Sequence, residues 1–184
     1  MSDDDRVRWD QRYADHAAVS YDDVGLPIVF QPFADTFPTA GCALDLACGR
    51  GGAAVWLAQR GLDVWGCDVS PVAVAQAREL AEIGGVAARC HFEIVDLDGG
   101  LPTGPRSDIL ICNKFRDDSL DRSIIDRIAS GGLLAISALS EVGASPGPFR
   151  AKAGELRQAF DGLEVITAGE SNGEAWLLAR RGRS

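Results

Sequence analysis

From Cys42 to Arg180 the chain repeats one pattern: a short apolar run, an acidic residue or glycine turn at its end, then a stretch with helical spacing. Cys42-Ala43-Leu44-Asp45-Leu46-Ala47 leads into the turn Cys48-Gly49-Arg50-Gly51-Gly52, followed by helical spacing over 53–60 and Gly61. A second run over 62–67 ends at Asp68. Ser70-Pro71 then marks a helix start, Ser as the cap and Pro at the first helical position. That helix runs to residue 83 and stops at Gly84-Gly85. Further strands are expected over 88–95, ending at Asp96, over 107–112, ending at Asn113, and over 133–138. Helices are expected over 119–129, stopped by Gly131-Gly132, and over 153–160, after a Gly/Pro/Ser loop at 143–148. Such alternation folds as a parallel sheet with helices on both faces, joined by right-handed crossovers. The runs over 163–168 and 175–180 have only a turn between them, so they form an antiparallel hairpin. The fold class is α/β.

Ahead of this lies an acidic stretch at 2–5, expected to fray, then weak helical spacing over 5–19. A second short helix is expected over 26–37, begun or interrupted by Pro27 and Pro32. With 184 residues, no internal sequence repeat and no linker, the chain reads as one domain, 1–184, with 1–37 as an N-terminal helical lid or cap.

Charge and composition exclude several classes. Eighteen Lys and Arg against 27 Asp and Glu give a net charge of -9, the wrong sign for neutralising phosphates, so no nucleic-acid partner is expected. The basic cluster Arg180, Arg181 and Arg183 reads as a solvated tail. No apolar stretch approaches the ~18 residues a bilayer crossing needs, so no membrane partner is expected. The N-terminus is acidic where an export signal needs positive charge, which makes the cytoplasm the expected location. Five cysteines with no C-x-x-C and two histidines give no metal site, and the thiols read as reduced small hydrophobes.

In an open parallel sheet, ligands bind beyond the C-terminal strand ends. There the sequence places Asp45 to Gly52, Asp68, Asp96 and Asn113. The glycines allow close backbone approach, and the helix opened by Gly51 and Gly52 presents N–H groups to a carboxylate or phosphate. Asp68 is placed to accept from ribose hydroxyls, Asp96 from an adenine amine, and Leu97 to pack on the ring. Asp45 would hold an ammonium group or brace the loop. A plainer reading makes Asp68 part of the helix cap. Together the features favour an adenosine cofactor. A dinucleotide remains open, because Gly49-x-Gly51-x-x-Ala54 meets the relaxed fingerprint.

These residues resemble a family. Asp45-Leu46-Ala47-Cys48-Gly49-Arg50-Gly51-Gly52 is similar to the S-adenosylmethionine loop of class I methyltransferases. Cys67-Asp68-Val69-Ser70-Pro71-Val72-Ala73 resembles their ribose segment, and Val95-Asp96-Leu97 their adenine segment. Arg8-Trp9-Asp10-Gln11-Arg12-Tyr13-Ala14 is similar to the W-x-x-R-Y opening of small tellurite-resistance and thiopurine-type enzymes, and residues 149–156 resemble the segment before their last helix. The resemblance implies a Rossmann-like, seven-stranded sheet of order 3-2-1-4-5-7-6 with the last strand antiparallel. It also implies a cofactor cradle of Asp45, Ala47, Cys48, Gly49, Gly51, Asp68, Val69, Asp96, Leu97 and Asn113. Ala47 stands where the family has Gly. After the fourth strand, relatives read aromatic-Leu-His-Arg-Pro-Leu, whereas this chain reads Phe115-Arg116-Asp117-Asp118-Ser119-Leu120, an acid replacing the family's Arg.

The implied reaction is in-line methyl transfer from S-adenosylmethionine, leaving S-adenosylhomocysteine, to a small-molecule S, O, N or chalcogen nucleophile. Trp9, Arg12, Lys114, Phe115 and Arg116 are the acceptor-side candidates. Against this, Trp9 and Tyr13 can be helix core, and Lys114 and Arg116 solvated. The sequence assigns no catalytic residue; His16 and Tyr13 are its candidates, and His91 reads as structural. The segment after the fourth strand lacks the motif of nucleic-acid amino-methylating enzymes. The alternatives are a non-catalytic module that binds S-adenosylmethionine or S-adenosylhomocysteine, and an NAD-binding Rossmann protein. The expected oligomeric state is a monomer or weak homodimer.

Overall fold

Apolar runs that are buried on both faces make parallel strands, and the first such run forms β1 (Cys42–Leu46), with residues 43–46 all buried. The structure is a computed structural model, and it describes residues 3–145 and 150–183. The chain divides into two compact units, 1–103 and 104–184. The fold is α/β, with mostly parallel strands flanked by helices, as the sequence predicts.

The first unit contains α1 (Asp3–Ala14), β1, α2 (Gly52–Gln59), β2 (Asp63–Asp68), α3 (Pro71–Ile83) and β3 (Cys90–Ile94). β2 pairs in parallel with both β1 and β3, giving the order β3-β2-β1. Leu46, Leu57, Leu62 and Leu80 are fully buried in its core. α3 begins where expected: Ser70 Oγ accepts the Ala73 N–H at 3.2 Å, and Pro71 is the first helical residue. α1 differs from expectation, because it already starts at Asp3 and stops at Ala14. Beyond it, Arg50 Nη2 takes the Ala17 carbonyl at 2.9 Å and Val19 turns into the core, so the helix does not continue. The segment around Pro32 is a 3-10 helix, Ile28–Thr36, with Phe33 off helical geometry.

The second unit contains β4 (Ser107–Cys112), α4 (Asp121–Arg127), β5 (Ile128–Ser140), the two-residue β6 (Arg150–Ala151), α5 (Glu155–Ala159), β7 (Glu164–Ser171) and β8 (Glu174–Arg180). β5 is parallel to β4 and β6, and β8 is antiparallel to both β5 and β7. With the unforeseen β6 set aside, the order β4-β5-β8-β7 is the expected 4-5-7-6. The predicted loop at 143–148 and segment 149–156 fall partly at 146–149, outside the described residues.

Gly131-Gly132 does not stop a helix. α4 ends at Arg127, and residues 129–132 form a bulge in β5 opposite Asp108, with Gly131 at φ +78. Of the C-terminal arginines, Arg183 is exposed, but Arg180 and Arg181 are not part of a solvated tail. Arg181 Nη1 takes the carbonyls of Ile125 at 2.6 Å and Ile128 at 2.8 Å, satisfying the end of α4, and Arg180 Nη1 takes that of Gly131 at 2.8 Å. The closing hairpin is also tighter than predicted. Asn172 and Gly173, at φ +52 and +76, form a two-residue turn whose twist matches that of the strands.

Candidate active site

The turn after β1 is built from alternating left-handed residues: Ala47 at φ +50, Gly49 at +54 and Gly51 at +81. A Cβ on Gly51 would lie 2.8 Å from the Ala77 Cβ of α3, so only glycine lets α3 pack this close. A Cβ on Gly49 would lie 3.0 Å from the Tyr13 hydroxyl, which therefore sits directly over the turn. Ala47 takes the same conformation with a side chain, at a cost of roughly 1 kcal/mol.

Asp68, at the end of β2, ties this turn to the next helix. Its Oδ2 accepts the Gly49 N–H and its Oδ1 the Ser70 N–H, both at 2.9 Å. The capping role and the place beside the glycine turn are thus both real. Ser70 Oγ in turn donates to the Asp10 carboxylate of α1. Gln76 Nε2 of α3 takes the Tyr13 carbonyl at 3.1 Å, so α1 is pinned to α3 from two sides. On α1, Trp9 and Tyr13 stack at 5.9 Å, and the Arg12 guanidinium lies over the Trp9 ring at 5.3 Å.

Asp45 is only 2% exposed, and its Oδ2 has no hydrogen-bond partner. Burial, and then the charge of Asp68, push its pKa up to about 8, against the Ala54 N–H that favours the carboxylate. Asp68 is also raised by burial, opposed by the N–H groups of Ser70, Gly49 and Val69. Burial favours the protonated form of the thiols nearby, raising Cys48 strongly, Cys67 to about 12 and Cys90 to about 11. Burial and the Asp68 charge also raise Tyr13, which favours the neutral phenol. His16 is exposed just beyond α1. His91 is exposed too, stacked on Trp65 at 5.0 Å. Of the other candidates in this unit, Val69 and Leu97 are buried, and Asp96 Oδ1 accepts the Asp98 N–H at 3.0 Å, capping a 3-10 turn.

In the second unit, Asn113 Oδ1 accepts from Ser137 Oγ at 2.8 Å. The Lys114 N–H donates to the same hydroxyl at 3.1 Å, holding Lys114 at φ +57. Arg116 is not an acceptor-side cation. Its side chain is 5% exposed and makes a forked pair with Asp121, at 2.5 and 2.9 Å, and a third bond to Glu155 at 2.7 Å. Every guanidinium nitrogen is committed. Sequence reasoning missed Asp10, Gln76, Ser137 and Glu155, whose partners lie 24 to 63 residues away, and also Asp121, five residues from Arg116 but outside any regular spacing that would pair them.

Among the described residues, no cluster of three or more His, Cys, Asp or Glu could hold a metal, and no helix is long and apolar enough to cross a membrane. Comparison with known proteins adds the class. Residues 43–130 match the family model described as a methyltransferase domain. No curated protein matches the chain. Among solved structures, TehB from Haemophilus influenzae superposes with a TM-score of 0.70 at 20% identity, over 96% of this chain and 66% of that one. Magnesium protoporphyrin IX methyltransferase (ChlM) from Synechocystis PCC 6803, with bound S-adenosylhomocysteine, gives 0.67 at 19% identity, over 97% and 93%. A structure concerned with conversion of a disulfide bond into a thioacetal group during echinomycin biosynthesis gives 0.69 at 24%, over 96% and 93%. At these identities the likeness establishes the fold, and the domain match adds the class: a class I, S-adenosylmethionine-dependent methyltransferase. That match spans residues 43–130, just under half of the chain, and S-adenosylmethionine is the cofactor of this class.

Proposed function

We propose that the chain transfers the methyl group of S-adenosylmethionine to a small-molecule nucleophile, and that the residues around the glycine turn hold the cofactor. The observation that carries this is Asp45: a buried carboxyl with one oxygen unpartnered, beside the glycine turn that Asp68 braces. A buried polar atom without a partner is costly, and an ammonium donor would satisfy it. In this reading Asp45 holds the ammonium group, and Ala47, Cys48, Gly49 and Gly51 supply close-approaching backbone. Asp68 uses its remaining lone pairs for the ribose hydroxyls, while Asp96, Val69 and Leu97 flank the base.

The cofactor supplies an electrophilic methyl carried on a sulfonium. The protein's part is to fix the acceptor in line with it and exclude water. We read 1–37 as the cap that does so, with Trp9 and Arg12 on the acceptor side, and the whole chain, 1–184, as one methyltransferase domain. A neutral Tyr13 phenol orients by donating a hydrogen bond. The acceptor is then a nucleophile that needs no strong base, such as a thiol or chalcogen oxyanion, or one served by His16. Asn113, Lys114 and Phe115 are kept as candidates on the family resemblance alone. The acidic composition favours a small molecule over nucleic acid, and a monomeric or weakly dimeric cytoplasmic enzyme fits the sequence.

Incubation with S-adenosylmethionine and a panel of thiols, chalcogen oxyanions, phenols and amines tests this reading, with S-adenosylhomocysteine release as the readout. Turnover with one class supports it. Tight cofactor binding with no turnover across the panel would favour the binding-only alternative.

A further inference from the structure

Among the described residues, no Lys or Arg pairs with Asp45 or Asp68 at the glycine turn. Asp45 accepts the Ala54 N–H of α2, and its charge acts on Asp68 and Cys67 of β2, Cys48 of the turn, Cys90 of β3 and Tyr13 of α1. Asp10 adds a third carboxylate, acting on Asp68. The two nearby arginines are directed elsewhere: Arg50 to the Ala17 carbonyl and Asp23, and Arg12 over the Trp9 ring. A charged carboxylate that is 2% exposed, lacks a cation and has one oxygen unbonded is the least favourable state for this site.

Resting on the cofactor reading above, we propose that Asp45 carries a proton in the free protein and loses it to water when the ammonium group of the cofactor binds. Binding and proton release are then one event. The Asp45 O–H bond breaks, the oxygen keeps the electron pair and the proton goes to bulk buffer. The ammonium group keeps its three protons and donates to the carboxylate that has formed. Burial and Asp68 favour the neutral acid while the site is free, and the arriving cation reverses that preference. Affinity consequently rises about tenfold per pH unit while Asp45 is protonated in the free protein.

The test is calorimetric titration of the full chain with S-adenosylhomocysteine at pH 6.5, in buffers of different ionisation enthalpy. The slope of the observed enthalpy counts protons. We expect close to one proton released per S-adenosylhomocysteine bound, and none for 5′-methylthioadenosine, which keeps the nucleoside but lacks the ammonium. Asp45→Asn should abolish the release. Should that variant fold poorly, the two-ligand comparison on the unaltered protein decides the question. Binding of S-adenosylhomocysteine without net proton exchange overturns the proposal and leaves the cofactor reading standing, as does equal release by the nucleoside. Failure of both ligands to bind would instead overturn the cofactor reading itself.

Discussion

Asp68 Oδ2 accepts the backbone N–H of Gly49 at 2.9 Å, so the acid that ends β2 grips the glycine turn that follows β1. Its other oxygen holds the Ser70 N–H. Asp68→Ala leaves both donors without an acceptor in a buried setting, at a cost of ~1–3 kcal/mol each. Denaturant titration should show a loss within that range for one to two bonds. Binding of S-adenosylhomocysteine should weaken at least tenfold, about 1.4 kcal/mol. Asp68→Asn retains one acceptor oxygen and should fall between.

Ala47 and Gly49 share a left-handed backbone, and opposite substitutions should have opposite effects. Ala47→Gly removes the Cβ from that conformation and should raise stability by up to ~1 kcal/mol, with cofactor affinity unchanged. Gly49→Ala adds a Cβ 3.0 Å from the Tyr13 hydroxyl and should lower stability by ~1–2 kcal/mol. Thermal unfolding of the two variants beside the parent checks both signs.

The raised pKa of Asp45 sets a pH dependence of the free protein. The folded state holds this proton to about pH 8, whereas the unfolded chain releases it near 3.8. The folded state therefore binds more protons across that window. The stability contributed by Asp45 is fully present below pH 3.8 and is lost progressively as pH rises to 8. Asp68, shifted in the same direction, adds to the slope. Unfolding at pH 5 and pH 8.5 should show the parent losing more stability than Asp45→Asn, with the variant the more stable by at least ~1 kcal/mol at the higher pH.

Arg116 couples the segment after β4 to α4 and α5 through Asp121 and Glu155. Arg116→Met strands two carboxylates whose side chains are 19% and 26% exposed. Their partial hydration should hold the loss to roughly 2–3 kcal/mol, at or below the ~3–5 seen when fully buried pairs are broken. The double variant Arg116→Met/Asp121→Asn should recover part of it in chemical denaturation.

What the sequence disclosed was local. Ser70-Pro71 marked the start of α3 to the residue, and the apolar run 107–112 is β4 itself, because caps and runs act over a few positions. Gly131-Gly132 misled for the opposite reason. The carbonyls at the end of α4 are satisfied by Arg181, more than fifty residues on, and the glycines lie instead in a bulge of β5. Arg116 looked like a cation for an acceptor because neither Asp121 nor Glu155 announces that its charge is already taken. The strand-end acids were legible as a group, but the link from Ser70 to Asp10, sixty residues away, was not. The one missed signal that lay in plain view was Asn172-Gly173, a dipeptide suited to a two-residue hairpin turn.

The central claim is that the glycine turn, Asp45 and Asp68 hold an S-adenosyl cofactor. Calorimetric titration with S-adenosylhomocysteine, with NAD and the Asp68→Ala variant alongside, tests it most directly. The account predicts saturable binding of S-adenosylhomocysteine, none of NAD, and at least a tenfold weaker complex with the variant. Binding of NAD, or no binding of S-adenosylhomocysteine at millimolar concentration, would contradict it.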